Sequence, residues 1–159
     1  MTPKRLVPLG LTALAALSLW APDASTAARS EPLSWSSAGT RLRGELLLPS
    51  GAGPHPAVVL LHGSGRARRE DFRVEGSYYA SHGVAALIYD KRGAGASGGN
   101  PDYYRYSELA ADAAGGIRAL RRRHDIRASK IAVWGLSEGA FIAPLVAARD
   151  REVAAIVAV

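Results

Sequence analysis

The chain has no cysteine and a single methionine. Without cysteine there is no disulfide framework and no thiolate metal site, so the fold must hold by core packing alone. Outside the first 20 residues no run of 18 or more apolar residues occurs, so no internal membrane span is expected. Aromatics make up 7% of the residues. None of them interleaves the arginine clusters at Arg66, Arg68 and Arg69 or at Arg121, Arg122 and Arg123. The formal charge of +6 therefore reads as solvated arginine at loops and helix ends, and no nucleic-acid partner is expected. There are also no internal repeats. What remains is 159 residues, 48% hydrophobic and 21% charged, enough for one domain with one core.

The N-terminus stands apart. Lys4 and Arg5 precede an apolar stretch over 6–20, and Ser25, Thr26 and Ala27 offer small residues just after it. This is the three-part pattern of a secretory signal peptide. The stretch is short for a spanning helix, so cleavage is favoured over an anchor. The expected division is a signal peptide over 1–27, a loosely ordered polar lead over 28–38, and a folded domain over 39–159. Export to the periplasm or beyond follows, with no stable membrane span after cleavage.

From residue 40 the chain alternates strand and helix patterns. TRLRGELLL (40–48) reads as a strand ending at Pro49. AVVLL (57–61), VAALIY (84–89), KIAVWGL (130–136) and VAAIVAV (153–159) are short apolar runs suited to strands buried on both faces. Helices are expected over 70–82, 107–124 and 138–149, the second weakened by Gly115 and Gly116. The pattern implies an α/β fold, a mostly parallel sheet with helices on both faces.

Gly135-Leu136-Ser137-Glu138-Gly139 carries the chemistry. A serine between two glycines, at the bend from strand to helix, sits on a tight turn with its hydroxyl clear of the backbone. The amides opening the next helix favour a developing negative charge there. The bland alternative is a helix-capping serine. Acyl transfer also needs two N–H donors aimed at the oxyanion. Glu138, next to the nucleophile, supplies one; the loop His62-Gly63-Ser64-Gly65 supplies the other from Ser64 or Gly65. His62, at a strand end beside Gly63, reads as a residue that shapes this loop rather than as a base. Gly93-x-Gly95-x-x-Gly98 matches a dinucleotide-binding string, but Gly99, Asn100 and Pro101 intervene before any helix, which argues against that site.

Three stretches together, VVLLHGSG (58–65), ALIYDKRGAGAS (86–97) and IAVWGLSEGAFIAP (131–144), resemble the α/β-hydrolase superfamily. The similarity covers 33–159 and is nearest to exported bacterial esterases, dienelactone-hydrolase-like and serine-aminopeptidase-like enzymes. It implies a serine hydrolase of carboxylic esters, or of thioesters or amides. Ser137 would carry the acyl group, water would accept it, and no metal or cofactor would be needed. It also implies that Asp90 and Arg92 tie down their loop rather than act on substrate.

The sequence departs from that family at one place. The triad order in this fold is serine, acid, histidine. Yet His55, His62, His82 and His124 all precede Ser137. The triad acid and histidine are thus not assigned, and the chain reads as the first six of eight strands, with 153–159 at an open edge. The alternative function is a non-catalytic hydrolase-fold binding or interaction protein.

Overall fold

The computed structural model describes residues 29–159. The expected signal peptide over 1–27 lies outside them. Ten elements follow in order: β1 (Arg29–Ser37), β2 (Thr40–Leu48), β3 (His55–Leu61), a 3₁₀ turn (Arg69–Phe72), α1 (Arg73–Ser81), β4 (Ala85–Tyr89), α2 (Tyr106–Arg121), β5 (Ile126–Gly135), α3 (Glu138–Arg149) and β6 (Ala155–Ala158). The six strands form one sheet in the order β1-β2-β4-β3-β5-β6. β4, β3, β5 and β6 run parallel, while β2 is antiparallel to both β1 and β4.

Parallel pairing requires a crossover between strands, and here each crossover carries a helix. Successive strand residues point to opposite faces, so one apolar run feeds two cores. Val59, Leu61 and Leu87 join residues of α2 and α3 in the larger core. Val58, Leu60, Ala86 and Ile88 pack with Phe72 and Ala80 on the α1 side. This is why strands such as AVVLL carry no polar residue.

The lead over 28–38 is a correction. Residues 29–37 are not loose: they form β1, paired with β2 from Arg29↔Leu48 to Ser37↔Thr40. The polar composition comes from a strand that is covered on one face only. Trp35 is its anchor. The indole is buried, meets Tyr89 edge-on at 5.5 Å, and donates from Nε1 to the Asp112 carbonyl at 2.8 Å. Gly115 and Gly116 make that seat, because a Cβ on Gly115 would lie 2.6 Å from the indole. The glycine pair that weakens α2 in isolation is what lets β1 dock on it.

Other boundaries moved by a few residues. The helix expected over 70–82 begins as the 3₁₀ turn, and β5 starts earlier than KIAVWGL. Among the described residues no helix is long and apolar enough to cross a membrane.

Candidate active site

The carboxyl ends of β3, β4 and β5 gather the chemistry. Only Leu136 and Ser137 separate β5 from α3. Ser137 has φ +52° and ψ −112°, a conformation a side-chain-bearing residue rarely adopts. Both flanking glycines are required by contact. A Cβ on Gly135 would lie 2.1 Å from the Gly139 carbonyl oxygen, and one on Gly139 would lie 2.4 Å from that of Leu61. The turn is thus pressed against the end of β3, and Ser137 itself is exposed.

Helix α3 starts at Glu138. The Gly139 and Ala140 amides donate to the Leu136 and Ser137 carbonyls at 2.8 and 2.9 Å. The Glu138 amide has no carbonyl one turn earlier within the helix, as is usual at a helix start. The loop after β3 lies alongside: a Cβ on Gly63 would be 3.5 Å from that of Ser137. Leu136 N–H donates to the Leu61 carbonyl at 3.1 Å and fastens the two turns together. Ser64, one residue further, is exposed. The fold therefore brings together the Ser137 turn, the start of α3 and the His62–Gly65 loop.

His62 is buried under that loop and stacks on Phe72 at 4.4 Å. Its Nε2 donates to the Tyr89 carbonyl at 2.8 Å. Burial outweighs this bond and pushes the imidazole below its ordinary pKa, toward the neutral form. The other histidines lie elsewhere. His82 closes α1 and bonds the Tyr78 carbonyl. His55 and His124 line a cavity of about 340 Å³ at the amino end of β3, which seven residues of strand separate from the serine end by about 20 Å.

Two carboxylates anchor the loop after β4. Burial alone would raise the Asp90 carboxyl, but the Arg69 guanidinium and the Arg69 and Ala96 amides outweigh it and hold it below its ordinary value. Arg92 binds Asp112 through two bonds of 2.9 and 2.6 Å and reaches Thr40 Oγ1 at 2.9 Å. There, burial raises the Asp112 carboxyl despite its partner. The 93–98 glycine string lies in this loop, and α2 begins only at Tyr106.

Sequence reasoning missed Lys91. Its ammonium is buried and contacts the Glu138 carboxylate, the Gly63 carbonyl at 2.9 Å and the Tyr104 hydroxyl at 2.9 Å. Its partners lie 47, 28 and 13 residues away, so no local pattern flags it.

This sheet order, with a serine on a strained turn after β5, is the α/β-hydrolase fold. The family model described as serine aminopeptidase, S33 matches residues 52–159, and the chain belongs to that family of hydrolases. Among curated relatives, a polyketide transferase of Penicillium is 32% identical over 140 residues, 86% of this chain and 46% of its own. Esterase EstD of Thermotoga maritima is 32% identical over 117 residues, 69% of this chain and 28% of its own. The chain thus spans less than half the length of these relatives. The crystal structure of the Penicillium α/β hydrolase GrgF superposes with a TM-score of 0.75 at 27% identity, covering 82% of this chain and 45% of that one.

Proposed function

We propose that this chain carries the nucleophile half of a serine hydrolase acting on carboxylic esters. Ser137 attacks the carbonyl carbon, the Ser64 and Glu138 amides hold the oxyanion, and the alkoxide leaves with a proton. Water then cleaves the acyl-enzyme. Thioesters and amides share this route; esters ask least of the leaving group. The observation that carries the reading is the strained, exposed Ser137 at the start of α3, beside the loop that holds Ser64. Kinship with an esterase, and with a transferase, supports acyl chemistry in general.

Serine needs a base in hydrogen-bond reach. His62 is committed to Tyr89, and His55, His82 and His124 are placed away from the serine turn. None of the four is the base in this reading, so the 159-residue polypeptide by itself turns ester over poorly. The N-terminal pattern over 4–27 supports action outside the cytoplasm.

A fluorophosphonate probe tests the nucleophile in the complete enzyme, where an acid and a histidine can activate the serine. Mass spectrometry is expected to find the adduct on Ser137, and Ser137→Ala to lose it. Absence of adduct, or an adduct on another serine, would sink the reading. Brisk ester turnover by the 159-residue chain, abolished by Ser137→Ala, would sink the statement about the base.

A further inference from the structure

The serine-hydrolase reading leaves one buried cation without a task. Lys91 leaves the end of β4, passes the end of β3 and reaches the start of α3. An ammonium has three donors. Here they meet three acceptors: the Gly63 carbonyl at 2.9 Å, the Tyr104 hydroxyl at 2.9 Å and the Glu138 carboxylate. Two of these acceptors belong to the units that would hold the oxyanion.

The first is the Gly63–Ser64 peptide. A trans peptide is planar, with its C=O and N–H pointing in opposite directions. Fixing the Gly63 carbonyl on the buried Lys91 side fixes the Ser64 N–H on the side away from Lys91. A cation on the carbonyl also polarises the peptide and makes that N–H a stronger donor. The second unit is Glu138. Its side chain is held at the ammonium while its amide opens α3, so the residue is pinned from below.

We infer that Lys91 is a positioning residue that sets both oxyanion amides, Ser64 and Glu138, through one buried ammonium. The inference rests on the serine-hydrolase reading and deepens it. The distance between the two loops is then fixed by a side chain from a third strand end, not by either loop. Lys91 touches no substrate.

Lys91→Met leaves the Glu138 carboxylate buried without its cation and is expected to loosen the fold. The double variant Lys91→Met/Glu138→Gln removes both charges and keeps the thermal midpoint close to the parent. Two readouts apply to this variant. In the ¹⁵N–¹H spectrum the Ser64 amide proton is expected to move upfield, because its peptide is no longer polarised. An unmoved or downfield Ser64 proton would overturn the inference. In the second, made in the complete enzyme, the rate of fluorophosphonate labelling at Ser137 falls about 10²-fold, the loss typical of one oxyanion donor. An unchanged rate would overturn it as well. If the complete parent enzyme takes no label at all, the nucleophile reading fails, and the Ser64 proton alone decides the role of Lys91.

Discussion

The chain makes two glycine-rich turns at the carboxyl ends of parallel strands, and they do opposite things. After β4, residues 90–99 turn their polar side chains inward: Asp90, Lys91 and Arg92 are 1%, 3% and 6% exposed. The Asp90 carboxylate accepts from Arg69 and from the Ala96 amide at 2.7 Å, and Ser97 Oγ donates to the Asp90 carbonyl at 2.7 Å. After β5, residues 135–139 turn a serine outward on a strained backbone. Glycine marks close approach in both turns: a Cβ on Gly95 would sit 2.4 Å from the Asp90 carboxyl carbon. The glycines therefore report crowding and say nothing about task. The task follows from where the polar side chains point. One turn buries its polar groups against its own backbone and its neighbours, Lys91 among them; the other leaves its serine exposed.

The sharpest way to break this comparison is Gly135→Ala. The added Cβ meets backbone, the Gly139 carbonyl, so no side chain can yield. Overpacking of this kind costs about 3 kcal/mol or more. Urea unfolding is the measurement, and a loss below about 1 kcal/mol would show that the turn is not held against α3 as described.

The inward turn answers to acid rather than to volume. The folded pKa of Asp90 is depressed, so its contribution is present above the unfolded value of about 3.9 and is lost as pH falls through the folded one. Asp90→Asn is expected to cost about 2 kcal/mol at neutral pH, a charged hydrogen bond discounted for the partly exposed Arg69. It also flattens the loss of stability below about pH 4. Asp112 acts with the opposite sign, because burial raises its carboxyl and protonation favours the fold. Unfolding curves for Asp90→Asn that parallel the parent from pH 6 to pH 2 would remove Asp90 from the account.

What the sequence made legible divides along the same line. Ser137 and its glycines could be read because the whole turn lies within five residues. The parallel strands could be read because burial on both faces leaves continuous apolar runs. β1 could not, because about half its residues face solvent and its most buried apolar anchor, Trp35, finds its seat on α2, 77 residues away at Asp112. Lys91 could not either. In DKRG it looks like one more loop cation between an aspartate and an arginine. Only the convergence of three strand ends turns it inward. Pairings of this kind are tertiary facts, and period and motif carry no trace of them.

The gentlest test acts on the strain itself. Ser137 holds φ +52°, where any side chain is unfavourable and glycine is at ease. Strain of this class costs on the order of 1–3 kcal/mol. Glycine returns part of that gain through the greater freedom of its unfolded chain. Ser137→Gly is therefore expected to stabilise the fold by about 1 kcal/mol while removing the fluorophosphonate adduct. Stability and labelling would then move in opposite directions at one residue. A Ser137→Gly protein less stable than its parent would mean that the serine is retained for structure, as a cap on α3. The contrast between the two turns would then fall.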